Sequence, residues 1–223
     1  MSHRRLLIAT RSPDKLREIR QILAELPEWE VVGLRDLEIE EEPAEADLEH
    51  FDTFEANALA KARYFAARTR ILVLADDSGL CVDALGGAPG VRSKRFSGRT
   101  DLAGRDLDQT NNAHLLRLLA GVELPDRTAR YVCAAALVDQ QGREEVFLGS
   151  CDGVILPEPR GSGGFGYDPL FFLPAEEATF GELDPDRKNA ISHRARAVRD
   201  ARIALERWGE TVARGVDESR QAV

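Results

Sequence analysis

The chain has 223 residues, 43% hydrophobic and 31% charged, with 30 Lys and Arg against 39 Asp and Glu for a formal charge of −9. That length and composition fit a single domain over residues 1–223, large enough for two tightly joined lobes and a real core. The acidic balance argues against a nucleic-acid backbone or an anionic membrane as the main partner, because both ask for a basic surface.

Met1-Ser2-His3-Arg4-Arg5 leads into too few apolar residues for a signal peptide, and no apolar run approaches a membrane span. A cytoplasmic protein is expected. Leu6-Leu7-Ile8-Ala9 reads as a short buried strand, broken by Thr10-Arg11-Ser12-Pro13-Asp14-Lys15. A helix follows, with Leu16, Ile19, Leu23 and Leu26 on one stripe. Ser12 is a good N-cap ahead of Pro13 at the first helical position. The acidic run from Glu38 to Glu49 carries little apolar content beyond Ile39 and Leu48 and is read as an exposed loop. A second helix is predicted from Asp52 or Thr53 to about Arg68. Ile71 to Ala75 is an apolar strand ending at Asp76-Asp77-Ser78-Gly79. Asn111 to Ala120 reads as a helix stopped by Gly121. Tyr131 to Asp139 and Glu144 to Leu148 read as an antiparallel hairpin, and Gly153 to Leu156 as an extension of the sheet. Leu170 to Leu173 is a short strand, and the last helix starts near Ser192, with Ala195, Val198, Ile203, Leu205 and Trp208 as its apolar positions. The fold class is α/β with a mixed sheet and flanking helices. Cys81, Cys133 and Cys151 show no C-x-x-C spacing and are read as small buried hydrophobes.

Three segments carry chemistry. The strand-to-helix turn from Thr10 to Lys15 can receive a phosphate on helix N-terminal N–H groups, with Lys15 supplying charge. It lacks the glycines of a P-loop and reads equally as a plain capped helix. Asp76 and Asp77 stand at the carboxyl end of a buried strand, where open α/β sheets place their ligand crevice. Neighbours along a strand face opposite ways, so one of the two is expected toward the cleft unless the strand has already turned. Carboxylate oxygens suit Mg²⁺, and such a carboxylate can take a proton from an attacking water; a solvated Asp-Ser-Gly turn is the bland alternative. The third segment, Gly161-Ser162-Gly163-Gly164-Phe165-Gly166-Tyr167-Asp168-Pro169, has glycines that allow positive φ and close approach to a ligand. Lys188 and Ser192-His193-Arg194 follow it. His193 and Arg194 are expected on an exposed first helical turn, where a basic pair opposes the helix dipole and hints at an anionic or acceptor-rich partner.

Together these segments resemble the Ham1/inosine triphosphate pyrophosphatase family. The matching pieces are Ala9 to Lys15, Thr53 to Lys61 (TFEANALAK), Ala75 to Pro89 (ADDSGLCVDALGGAP), Gly161 to Phe171, and Lys188 to Arg194 (KNAISHR). Their order holds from about residue 4 to 208. The resemblance implies an elongated two-lobed fold around a long mixed sheet, with the cleft between the lobes. It also implies Mg²⁺-dependent hydrolysis of ITP, dITP and XTP to the monophosphate and pyrophosphate, and a homodimer. Carried onto this chain, it assigns the phosphate grip to Thr10, Arg11, Ser12, Pro13, Asp14 and Lys15. Asp77 becomes the general base and Mg²⁺ ligand, with Asp76 beside it as a second metal ligand, and Ser78 a substrate contact. Phe165, Gly166, Tyr167 and Asp168 become the base-binding loop, with Lys188, His193 and Arg194 closing over base and phosphate.

The sequence departs from the family pattern at two points. The family's Thr-Gly-Asn turn is Thr10-Arg11-Ser12 here. The glutamate usual before Asn57 is Ala56, for which Asp52 with Glu55 offers a replacement capping box. Which of Glu40, Glu41 and Glu42 assists the metal stays open. Two other readings remain: a Maf-type house-cleaning pyrophosphatase acting on modified pyrimidine nucleotides, and a nucleotide-binding sensor without turnover, suggested by Ala56.

Overall fold

The computed structural model describes residues 4–221 apart from 25 and 27, with side chains described as far as Trp208. Met1 to His3, on which the signal-peptide reading began, lie outside the described residues. One seven-stranded sheet runs β2-β1-β3-β4-β5-β6-β7. Its strands are β1 (Arg4–Ile8), β2 (Trp29–Gly33), β3 (Leu72–Val82), β4 (Thr128–Val138), β5 (Glu144–Ile155), β6 (Phe171–Leu173) and β7 (Ala178–Thr179). β1 pairs in parallel with β2 and β3, and every other pairing is antiparallel, so the sheet is mixed. The helices are α1 (Pro13–Ile22), α2 (Phe54–Thr69), α3 (Gly104–Leu118), α4 (Pro185–Ile191) and α5 (His193–Gln221).

Alternation along the strands divides the core. Leu6, Ile8, Leu74, Cys133 and Leu137 pack on one face against Ile19 of α1 and Val198, Ala201 and Leu205 of α5. Leu7, Val73, Ala75, Ala134 and Ala136 pack on the other against Ala58, Ala62 and Phe65 of α2. The far ends of β3, β4 and β5 join β6 in a third cluster, where Leu80, Val82, Tyr131, Phe171 and Phe180 meet Leu115 of α3. The same sheet therefore runs through both lobes.

The predicted N-cap of α1 is present, Ser12 Oγ accepting from Lys15 N, and at the start of α2 Thr53 Oγ1 accepts from Ala56 N. Thr53, not Asp52, caps α2. With Ala56 at the third helical position the reciprocal half of a capping box is missing.

Several elements differ from the sequence reading. β3 does not end at Ala75. It stays paired with β4 through Asp77↔Ala134 to Val82↔Ala129, because small alanines opposite the charged pair leave the ladder intact. Gly153 to Ile155 continue β5 without a break. α3 starts at Gly104 because its buried stripe is Leu107, Asn111 and Leu115, and the asparagine disguises the helical period. β2, β7 and α4 gave no sequence signal strong enough to place them. Cys133 and Cys151 are buried and Cys81 is half-buried, all three unpaired. Burial pushes the Cys133 thiol up to about 12, which leaves it protonated and inert.

Candidate active site

β1 stops at Ile8↔Leu74 while β3 runs on to Val82. The short helical segment Gly90–Arg95 closes the far part of that exposed edge, with Leu80 N donating to Ser93 Oγ at 2.8 Å. Between them lie Asp76, Asp77 and Ser78, at the carboxyl end of β1, where an open sheet admits a ligand.

The pleat separates the two carboxylates. Asp77 faces α2, where Asn57 Nδ2 donates to its Oδ2 at 2.9 Å while Ser78 N donates to its Oδ1 at 2.9 Å. Asp76 faces the opposite way and is 1% exposed. Its Oδ2 receives Lys15 Nζ at 3.1 Å and Arg194 Nε at 3.2 Å. Burial pushes the Asp77 carboxyl up, against the pull of Lys15 and Lys61. Burial also works on Asp76, but Lys15 and Arg194 hold it well below the usual carboxylate range. The arrangement lends the expectation of Asp76 as a second metal ligand no support: its Oδ2 is taken by Lys15 and Arg194, and its Oδ1 is buried without a partner on the face opposite Asp77.

Lys61 of α2 was not singled out from the sequence. Its Nζ donates to the Asp76 carbonyl at 2.9 Å and pairs with Glu49. Asn57 and Lys61, one helical turn apart, are polar residues inside the apolar stripe of Ala58, Ala62 and Phe65, and that interruption was the available signal. Glu49 is also the acidic-loop carboxylate that Asp77 senses. Glu42 is bound to Tyr64 Oη and Arg68, and Glu40 gives its carbonyl to Arg11. A cavity of about 280 Å³ separates Glu49 to Asp52 from Val91, Arg92 and Arg95, and puts two arginines beside this loop.

At the turn before α1, Ser12 N donates to Thr10 Oγ1 at 3.2 Å, which shapes the bend ahead of Pro13 and Asp14. Arg11 is turned onto the acidic loop. Its guanidinium forks onto Glu45 at 2.6 and 2.9 Å and donates to the carbonyls of Ile39 and Glu40. The charge that this chain has in place of the family's glycine is thereby neutralised, and it fastens the acidic loop to the turn. That loop is less free than its composition suggested.

The basic residues of the last helices are interior. Lys188, His193 and Arg194 are 4%, 3% and 2% exposed, which corrects the expectation of an exposed first turn. Glu18, on the turn of α1 after Lys15, holds both cations: Oε1 meets Lys188 Nζ at 2.8 Å and Oε2 meets Arg194 Nη1 at 2.6 Å. Lys188 also meets Asp168 at 2.5 Å, and Arg194 Nη2 donates to Ser78 Oγ at 2.8 Å. The anionic partner suggested by the basic pair is thus Glu18 with Asp76, for Arg194 alone. His193 stacks on Tyr131 with centroids 4.6 Å apart, and its Nδ1 has no partner. Burial, with Arg194 and Lys188 nearby, pushes its pKa well below the ordinary value and keeps the ring neutral.

The glycine loop lies over this network. Asp168 Oδ2 accepts from Phe165 N at 2.8 Å. A Cβ on Gly164, which sits at φ +68°, would collide with that carboxylate. Phe165 keeps its ring over the cations, with Lys188 Nζ 4.8 Å and Arg194 Cζ 5.5 Å from the centroid. Tyr167 is turned into the core, its hydroxyl donating to the Ser93 carbonyl at 2.8 Å.

Each Asp77 oxygen accepts one hydrogen bond and keeps a lone pair. Among the described residues no group of three or more His, Cys, Asp or Glu side chains forms a metal cage. That donor set fits Mg²⁺, which takes one or two protein carboxylates and completes its shell with phosphates and water.

Fold and site together define an α/β protein with a charged cleft at the end of a mixed sheet. A model of the Ham1 family matches residues 6–203, and the chain belongs to that family. It is 46% identical over 204 residues to the dITP/XTP pyrophosphatase of Desulforamulus reducens, covering 91% of this chain and 96% of that one. It is 49% identical over 202 residues to the dITP/XTP pyrophosphatase of Frankia alni, covering 90% and 96%. Among solved structures it is similar to a HAM1 protein from Coxiella burnetii, with a TM-score of 0.78, 34% identity, and 92% and 99% of the two chains covered.

Proposed function

We propose that the chain is a Mg²⁺-dependent pyrophosphatase that converts ITP, dITP and XTP to the nucleoside monophosphate and pyrophosphate. The observation that carries this reading is the Asp77 carboxylate, 6% exposed at the β3 edge, with Lys15 and Lys61 acting on it from two helices. Relatives at 46% and 49% identity bear the name dITP/XTP pyrophosphatase, which supports the substrate class.

Lys15, at the start of α1, supplies the positive charge that receives the β and γ phosphates, its own backbone N–H being taken by the Ser12 cap. Asp77 takes the proton of a water aimed at the α-phosphorus, and its raised pKa brings it closer to the working pH of a general base. Asp77, with the substrate phosphates, would hold Mg²⁺, and the ion would supply positive charge to offset that of the departing pyrophosphate. The purine lies at Phe165. Arg194 has five N–H donors, of which Asp76, Glu18 and Ser78 take three. The remainder suit the 6-oxygen of hypoxanthine or xanthine, whereas the amino group of adenine would set donor against donor. The enzyme acts as a cytoplasmic homodimer, and sedimentation at micromolar concentration tests the oligomeric part.

The test is incubation with a panel of nucleoside triphosphates and Mg²⁺, with products resolved by chromatography. ITP, dITP and XTP should yield monophosphates and pyrophosphate far faster than ATP. Turnover of modified pyrimidine nucleotides alone would restore the Maf-type reading, which the family match does not favour. Binding without turnover would make the protein a sensor.

A further inference from the structure

One face of α3 holds the loops on either side of the cleft. Asn111 Oδ1 accepts from Ser97 N at 2.9 Å and its Nδ2 donates to the Lys94 carbonyl at 3.1 Å, which fixes the segment carrying Arg92 to Arg95. Asp108 and Asn112, at i−3 and i+1 from it, reach the glycine loop. Asp108 Oδ2 accepts from Gly166 N at 2.8 Å, and Asn112 Nδ2 donates to the Gly166 carbonyl at 3.1 Å. Both amide groups of one glycine are thus bound by side chains one helical turn apart. That glycine sits at φ +62°, a conformation a side-chain-bearing residue rarely adopts. Its neighbour is Phe165, whose ring covers Lys188 and Arg194. On its own side the loop holds Phe165 N through Asp168 alone. The Phe165 carbonyl accepts from Asp168 N at 3.3 Å and Tyr167 N donates to Tyr131 Oη at 3.2 Å, so α3 adds the two contacts that hold the glycine between them.

We infer that Asp108 and Asn112 are positioning residues for base selection: their grip on Gly166 sets Phe165 against Arg194 and so decides which purine fits. This rests on the reading of the loop as the base site. Neither residue contacts Asp77, Lys15 or Lys61, so their loss should act on binding and selectivity and spare the phosphate chemistry.

The test compares Asp108→Ala, Asn112→Ala, Asp108→Asn and Phe165→Ala in steady-state kinetics with ITP and ATP, each variant first checked for a native circular dichroism spectrum. Losing one such hydrogen bond should raise KM for ITP about tenfold while kcat stays within about threefold. The ITP-to-ATP ratio of kcat/KM should fall by about tenfold as well. Asp108→Asn keeps an oxygen that accepts the Gly166 N–H, so it should restore both values to within about threefold of wild type. Hydrogen exchange at residues 164–167 should quicken in the two alanine variants alone. The inference is overturned if Phe165→Ala changes KM and selectivity and the alanine variants at 108 and 112 do not. It is also overturned if kcat falls with KM unchanged, or if Asp108→Asn is as damaging as Asp108→Ala, which would make charge the property that matters. No change in KM or selectivity from Phe165→Ala would instead remove the base-site reading itself.

Discussion

Replacing Glu18 by alanine should destabilise the protein more than any surface substitution. The side chains of Glu18, Lys188 and Arg194 are 7%, 5% and 2% exposed, so little water is available to replace the lost carboxylate. The buried network balances Lys15, Lys188 and Arg194 against Glu18, Asp76 and Asp168. Deleting Glu18 leaves it one positive charge in excess. Each cation keeps one carboxylate, so the cost is that of breaking a buried pair, about 3–5 kcal/mol. For a chain of this size each kcal/mol lowers the melting temperature by about 2–4 °C, which gives a fall of about 6–20 °C. Glu18→Gln retains one acceptor for Arg194 or Lys188 and should lose about half as much. The pKa of Glu18 is lowered: burial raises it, and Arg194 and Lys188 more than reverse that. Its stabilising contribution is therefore complete above the unfolded value of about 4.3 and lost as pH falls through the folded one, so the gap to wild type should narrow below about pH 4.3. Thermal unfolding followed by circular dichroism at neutral pH and at pH 4 reads both effects. A neutral-pH shift under about 2 °C would refute the view of Glu18 as the carboxylate that neutralises the two cations.

His193 is buried and held neutral, so the unfolded chain binds a proton below about pH 6.5 that the folded chain refuses. Stability should fall by up to about 1.4 kcal/mol per pH unit from there toward pH 5, and urea titrations should show that His193→Gln removes this slope. Asp77→Asn keeps the shape of the side chain but removes its basic oxygen, and turnover of ITP should drop by about 10²–10⁴-fold. Activity within about threefold of wild type in a folded variant would unseat Asp77 as the base. A Cβ on Gly149 would lie 2.6 Å from Ala197 N and overlap the His193 carbonyl, so Gly149→Ala should push the start of α5 off β5. The cost is about 1–3 kcal/mol in chemical denaturation, with ITP affinity weakened because α5 carries Arg194.

Local signals read well in this chain. Ser12 ahead of Pro13 announced the start of α1 through a side chain that caps its own next turn, and Asp52 or Thr53 located the start of α2 to within a residue. The α/β class and mixed sheet followed from short apolar runs alternating with amphipathic stretches. Asp76-Asp77-Ser78-Gly79 read as the end of the strand because charge and glycine usually end one. What keeps it in the ladder is the backbone of β4, far along the chain, with alanines opposite the two aspartates. The partners of the site residues were less legible still. Arg194 is neutralised by Asp76, 118 positions away, and by Glu18, 176 positions away, and nothing near Arg194 in sequence announces either. Its apparent conflict with the helix dipole did point to a negative partner, but toward a ligand when the partner lay in the protein.

The bond that breaks tests the central claim most directly. ITP hydrolysed with Mg²⁺ in ¹⁸O-labelled water should give IMP and pyrophosphate with no IDP intermediate, and on the proposal that a water at Asp77 attacks the α-phosphorus, mass spectrometry should find the label in IMP. Label in pyrophosphate, or IDP with orthophosphate, would contradict the placement of Asp77 opposite that phosphorus.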